Sequence, residues 1–128
     1  MACILIIDDD EMVRRTAKIL LDASGFETVT AADGQSGINA IKERPFDAVI
    51  VDLFMPGMDG LETTKAIRKL SPQMPIIAAS GFMFGGSCPE MPNFREIAEE
   101  AGAISTLYKP FKPKDLLQAI QRAIGVAA

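Results

Sequence analysis

Five short apolar runs, separated by segments of helical periodicity, constrain this chain more than any other feature: Ile4 to Ile7, Thr28 to Thr30, Ala48 to Val51, Ile76 to Ala79 and Ala103 to Leu107. Runs this short, bounded by polar or turn residues, read as strands. Strands that alternate with helices pack as a parallel sheet with helices on its faces. A sheet buried on both sides accounts for a composition that is 48% hydrophobic and 23% charged. At 128 residues the chain suits one domain, in which folding removes roughly two-thirds of the unfolded surface from water. We expect a single unit over residues 1–128 with no effector domain, because three residues remain after the last helix.

The intervening segments carry helix signals. Met12, Val13, Thr16, Ile19, Leu20 and Ala23 recur at three- and four-residue spacing, and Gly25 follows where a helix ends. This pattern predicts an amphipathic first helix. A second helix is expected from about Gly34 to Arg44, with Asp33 as N-cap, Ile38 and Ile41 on the buried side, and Pro45 as a stop. A third runs from about Gly60 to Leu70 with Leu61, Ala66, Ile67 and Leu70, closed by Ser71-Pro72. A fourth covers about Asn93 to Ala101. The last follows Pro113, with Leu116, Leu117, Ile120 and Ile124 inward. Between the fourth strand and the fourth helix, Gly81 to Pro92 forms a long, partly apolar loop with Phe82, Met83 and Phe84; loops of this length in compact domains usually serve a function.

Charge and composition exclude several functions. A net charge of -4 provides no phosphate-neutralising face, so no direct contact with DNA is expected. Cys3 and Cys88 lack metal-type spacing, and a domain of this size needs no disulfide, which suits a reducing cytoplasm. The run Ile4 to Ile7 is too short for a membrane span or a secretory segment. The absence of histidine removes the usual zinc ligand and any phosphohistidine, so a phosphoryl donor must be another molecule.

In an open parallel sheet, ligands bind beyond the carboxyl ends of the strands. The first strand ends in Asp8-Asp9-Asp10, the third in Asp52, the fourth in Ser80 and the fifth in Lys109. Clustered carboxylates repel and need a cation; oxygen ligands without His or Cys select a hard one, Mg²⁺, for which Mn²⁺ can substitute. With the charge so balanced, Asp52 can act as a carboxylate nucleophile toward a phosphoryl group, while Lys109 and the metal neutralise its oxygens and Ser80 donates a hydrogen bond. Taken singly, each residue has an ordinary explanation. Asp10 or Glu11 is a natural N-cap for the first helix, Asp52 a turn former, Ser80 a backbone-bonded hydroxyl and Lys109 a solvated charge. Their coincidence at successive strand ends favours a site.

The runs Ile4 to Asp10, Asp52-Leu53-Phe54-Met55-Pro56-Gly57-Met58-Asp59-Gly60 and Lys109-Pro110-Phe111 resemble the response-regulator receiver domain, and the likeness covers essentially the whole chain. The resemblance implies a flavodoxin-like, doubly wound, five-stranded parallel sheet of order 2-1-3-4-5 with five flanking helices. It implies phosphorylation of Asp52 by a partner histidine kinase or phosphotransfer protein, or slowly by small phosphodonors. It also implies Mg²⁺ bound by Asp9, Asp52 and the carbonyl of Phe54, with Asp8 acting through a metal-bound water, Ser80 as switch hydroxyl and Lys109 on the phosphate. The Lys109-Pro110 bond is typically cis in such proteins. Output is expected through the face made by the fourth helix, fifth strand and fifth helix, from a monomer or weak dimer in the cytoplasm. The protein would be no enzyme beyond its own phosphorylation and dephosphorylation.

Two departures from the family pattern bear on the readout. Thr106 stands where relatives commonly carry Tyr or Phe, and the interval from Ser80 to Lys109 is longer than usual, with the extra residues in Gly81 to Pro92. These departures lead us to expect that the loop carries the switch. Three other functions compete with this reading. A small phosphatase of the haloacid-dehalogenase type would use Asp8 and Asp10, but Met12 stands where a Thr or Val is expected and no acidic pair follows Lys109. A flavodoxin-like cofactor carrier would need a first loop that cradles phosphate, which Asp8 to Glu11 would repel. A pseudo-receiver serving only as an interaction module has no reason to keep Asp8, Asp9, Asp52, Ser80 and Lys109 together.

Overall fold

The apolar runs form the strands of one parallel sheet in the computed structural model, which describes residues 2–53, 60–80, 94–108 and 112–125, with backbone alone at 80, 94 and 108. In chain order the elements are β1 (Cys3–Ile7), α1 (Glu11–Ala23), β2 (Glu27–Ala31), α2 (Gly34–Glu43), β3 (Ala48–Asp52), α3 (Gly60–Leu70), β4 (Ile76–Ser80), α4 (Phe94–Ala101), β5 (Ser105–Tyr108) and α5 (Pro113–Ala123). The strand order is β2-β1-β3-β4-β5, and every pairing is parallel. The expected doubly wound fold is thus present.

Every residue of β1 and β3 is buried, and the pleat divides them between two layers. Leu5, Ile7, Val49, Val51 and Ile76 pack with Ile38 of α2, Ile67 of α3 and Ala98 of α4. Ile4, Ile6, Ile50 and Ile77 pack on the opposite face with Ala17 and Leu21 of α1 and with Leu116 and Ile120 of α5. Burying each large aliphatic side chain contributes about 1.5–3 kcal/mol, so these two layers dominate the stability.

Burial differs from the sequence pattern at three places. In α1 the inner residues are Ala17 and Leu21, with Leu20 beside them, whereas Met12 and Ile19 are each 66% exposed. The helix carries two apolar stripes, and the sheet takes the one with the small Ala17, which lets the helix axis approach. In α3 the buried residues are Gly60, Thr63, Thr64 and Ile67, while Leu70 is exposed. The hydroxyl of Thr64 donates to the Gly60 carbonyl at 2.7 Å, so its polar group is satisfied within the helix. Ile104 precedes β5 and is exposed.

The helix starts follow their caps. Asp10 accepts from the Met12 N–H at 2.9 Å, and Asp33 accepts from the Ser36 N–H at 2.8 Å. At the amino end of the sheet, the Cys3 N–H donates to Asp47 Oδ2 at 2.7 Å and the Asp47 N–H donates to the Cys3 carbonyl at 2.8 Å. Arg68 ties two turns together: Nη1 donates to the Pro72 carbonyl at 2.7 Å and Nη2 to the Gly102 carbonyl at 2.6 Å. Gly102 has φ of +119°, a conformation favouring glycine, and a Cβ there would also press on the Arg68 side chain.

Candidate functional site

Register brings the acidic residues together. Ile7 pairs with Val51, so the next residues, Asp8 and Asp52, leave neighbouring strands at the same height. The ladder continues past this point, with the Asp8 N–H donating to the Ala31 carbonyl at 3.1 Å and the Leu53 N–H to the Ala79 carbonyl at 3.0 Å. Both aspartates therefore sit on fixed backbone. Their side chains are 2% and 3% exposed, whereas Asp9, on the loop leading into α1, faces solvent.

One carboxylate oxygen from each of Asp8, Asp9 and Asp52 lies within 4.8 Å of the others. At an effective dielectric near 20, two unit charges at that separation repel by about 3.5 kcal/mol. A cation bound among them would offset this, and an all-carboxylate donor set suits a hard divalent ion. The donors therefore fit Mg²⁺.

Neighbouring groups set the orientation of the cluster. The Asp10 N–H donates to Asp8 Oδ1 at 2.9 Å, which fixes that carboxylate, while the Asp10 side chain turns away to cap α1. Arg14 Nη1 donates to the Asp8 carbonyl at 2.9 Å and pins the strand end to the second turn of α1. Arg14 carries no motif in the sequence, and only its position one turn beyond the cap hints at such a contact. Gly60, at the first position of α3, lies so close to β3 that a Cβ there would overlap the Asp52 carbonyl and stand 2.6 Å from its carbon. The absence of a side chain at Gly60 lets α3 buttress the backbone that presents Asp52.

Among the other expected site residues, Ser80 ends β4, one step beyond the Ala79 that pairs with Asp52. Its hydroxyl, Phe54, Lys109, the Lys109-Pro110 bond and the loop Gly81 to Pro92 lie outside the described residues. Thr106 lies on β5 opposite Ala78 and is half-buried.

A doubly wound parallel sheet with three carboxylates at the ends of adjacent central strands defines a class of acidic, metal-competent phosphoacceptor modules. The sequence matches the response regulator receiver domain over residues 4–121, and the chain belongs to that family. It is 34% identical over 127 residues to the transcriptional regulatory protein FixJ of Bradyrhizobium diazoefficiens, covering 97% of this chain and 57% of that protein. It is 33% identical to the transcriptional regulatory protein GlrR of Escherichia coli K12, covering 99% of this chain but 27% of that protein. The chain thus spans little more than half, or about a quarter, of these relatives. The chemotaxis protein CheY4 of Vibrio cholerae is similar in structure, with a TM-score of 0.84, 34% identity, and coverage of 96% of this chain and 98% of that one.

The protein is accordingly a phosphoacceptor receiver of two-component signalling, a family whose members bind Mg²⁺ through acidic residues and work through histidine kinases and downstream effectors. The phosphatase alternative is not favoured, because it needs the Asp10 carboxylate for acid–base work and here that group caps α1. Among the described residues, no helix is long and apolar enough to cross a membrane.

Proposed function

We propose that Asp52 is the residue phosphorylated, in a site where Asp9, Asp52 and the Phe54 carbonyl hold Mg²⁺ and Asp8 holds one of its waters. The observation that carries this reading is the convergence of the Asp8, Asp9 and Asp52 carboxylates within 4.8 Å. Mg²⁺ held there would supply charge neutralisation for the incoming phosphoryl oxygens, and Mn²⁺ would replace it in vitro. An Asp52 carboxylate oxygen attacks phosphorus in line; a new P–O bond forms as the bond from phosphorus to the donor's nitrogen or oxygen breaks, leaving an acyl phosphate on Asp52. Asp8, fixed by the Asp10 N–H, keeps the site acidic and oriented. Ser80 donates to one phosphoryl oxygen and Lys109 pairs with another, which makes the transfer chiefly a matter of positioning.

The phosphoryl donor is a histidine kinase or phosphotransfer protein. The exposed stripe of Met12 and Ile19, two turns apart on the helix that begins at the site, offers an apolar contact for such a protein. Output passes to a downstream protein through the face of α4, β5 and α5, without direct contact with DNA, from a monomer or weak dimer in the cytoplasm. With Thr106 in the usual aromatic position, the loop Gly81 to Pro92 carries the switch. The protein acts stoichiometrically and catalyses at most its own phosphorylation and dephosphorylation.

Labelled acetyl phosphate tests the assignment. Wild-type protein with Mg²⁺ is expected to take up one label, Asp52→Asn none, and EDTA to abolish uptake. Equal labelling of wild type and Asp52→Asn would remove Asp52 as the acceptor.

A further inference from the structure

Two cations on one stripe of α1 tie that helix to the sheet. Arg14 and Lys18 are one helical turn apart and share a face, and each donates to a main-chain carbonyl: Arg14 Nη1 to Asp8 at 2.9 Å and Lys18 Nζ to Thr28 of β2 at 3.0 Å. Lys18 is exposed and also pairs with Asp22 at 3.3 Å, whereas Arg14 is half-buried. The two tethers differ in where they land. Thr28 lies opposite Ile4, toward the end of β1 away from the acids, while the Asp8 carbonyl belongs to the peptide unit that leads into Asp9.

That peptide unit is planar, so a fixed Asp8 carbonyl also fixes the amide nitrogen and Cα of Asp9. On the other side of Asp9, the Asp10 carbonyl accepts from the Arg14 N–H at 3.1 Å. One residue thus grips the chain before and after Asp9. Among the three clustered acids, Asp9 depends most on such a grip. Asp8 and Asp52 are buried at strand ends, and the Asp10 N–H fixes Asp8 Oδ1 at 2.9 Å. Asp9 faces solvent from the loop, so the place of its carboxylate beside the other two rests on the backbone that carries it. The guanidinium gives that backbone a charge-assisted hydrogen bond, stronger than a neutral donor would.

We infer that Arg14 is a positioning residue for the metal site, setting its Mg²⁺ affinity by holding Asp9 level with Asp8 and Asp52. This rests on the Mg²⁺ reading of the three carboxylates given above, and Arg14 acts through the Asp9 backbone rather than on the ion. Charge alone predicts the reverse. Arg14 stands beside a cation site, so removing its positive charge would relieve repulsion and tighten the ion. Releasing the loop loosens it. Partners that orient a metal ligand are typically worth about tenfold or more in affinity.

Mg²⁺ is titrated into the full, unphosphorylated chain and followed by amide chemical shifts, with wild type, Arg14→Met and Lys18→Met side by side. Both substitutions remove one positive charge and one tether from the same stripe of α1, but only the first frees the loop. Arg14→Met is expected to bind Mg²⁺ about tenfold more weakly than wild type, and Lys18→Met to bind it as wild type does. Arg14→Gln repeats the comparison with a good helix former whose amide stops short of the reach of Nη1, should the apolar side chain hinder folding. Labelling by acetyl phosphate gives a second readout: with Arg14→Met the Mg²⁺ concentration for half-maximal rate should rise about tenfold, and the rate at saturating Mg²⁺ should match wild type. Affinity unchanged or tightened without Arg14, an equal loss in Lys18→Met, or a rate that saturating Mg²⁺ does not restore would overturn the inference. The failures are distinguishable. Wild type that binds no Mg²⁺, or binds it equally after Asp52→Asn, sinks the metal-site reading beneath the inference; wild-type binding matched by Arg14→Met sinks the role of Arg14 alone.

Discussion

Replacing Asp52 by asparagine removes one of three carboxylates whose oxygens lie within 4.8 Å, while keeping the size and one acceptor oxygen. With an effective dielectric near 20, each pair repels by about 3.5 kcal/mol. The pair with Asp8 keeps that value because both groups are almost fully buried, whereas the pair with solvent-facing Asp9 is screened to roughly half. Taking the lost attraction to the ammonium proposed for Lys109 as equal to one full pair sets about 3.5 kcal/mol against these gains. The balance is a stabilisation of about 2 kcal/mol without divalent metal. Urea unfolding measures it, and the same titration in 10 mM Mg²⁺ provides a second test. Wild type should gain stability with Mg²⁺ as binding to the native state demands, and Asp52→Asn should gain much less. An Asp52→Asn protein less stable than wild type in EDTA, or one that responds to Mg²⁺ as wild type does, would refute the view that mutual repulsion prepares the site for a cation.

Other substitutions test the scaffold around the site. Gly60→Ala places a methyl group against the Asp52 carbonyl, backbone that cannot swing aside, so unfolding should show a loss of about 3 kcal/mol and labelling from acetyl phosphate should fall. Asp33→Ala removes the cap of α2 and should cost about 1 kcal/mol at neutral pH. The Ser36 backbone N–H and hydroxyl hold the Asp33 carboxyl below its ordinary value of 3.8. Its contribution is therefore complete above that value and is lost as pH falls through the lower folded value; a cost that persists unchanged in acid would remove the charged cap as its source. Ile19→Asp should slow transfer from a phosphorylated histidine partner by about tenfold and leave labelling by acetyl phosphate unchanged, since the residue is exposed and supports no core packing.

The sheet and the carboxylate cluster were both legible in the sequence, for a shared reason. A central strand buried on both faces must be apolar throughout, so the run Ile4 to Ile7 and the run Ala48 to Val51 are visible as blocks, and the residues that end them abruptly are the acids of the site. Helix starts at Asp10 and Asp33 were equally readable, because capping is a local hydrogen bond. Helix faces were not. Met12 and Ile19 share the three- and four-residue spacing of the apolar set in α1, and only the close approach allowed by Ala17 decides which stripe the sheet covers. The burial of Thr63 and Thr64 was likewise hidden, since a threonine reads as polar until its hydroxyl is seen bonded to a carbonyl one turn back. Arg14 stayed out of view because its partner is a main-chain carbonyl, which carries no signature in sequence.

An edge strand with one wet face keeps its alignment because a one-residue slip would expose its apolar side, but β1 has no wet face to enforce this. Its five residues are apolar on both sides, so shifting it by one against β3 would exchange one hydrophobic set for another. What such a shift would break is the reciprocal pair of hydrogen bonds between Cys3 and Asp47 at the opposite end of the strand. Asp47 thus acts as a ruler's zero mark: it counts β1 off from the bottom, so that the strand runs out of apolar residues level with Asp52. The alignment of the acidic pair is set some five residues away from the acids themselves, and a lengthened or shortened β1 would misplace Asp8 while leaving every residue of the site intact.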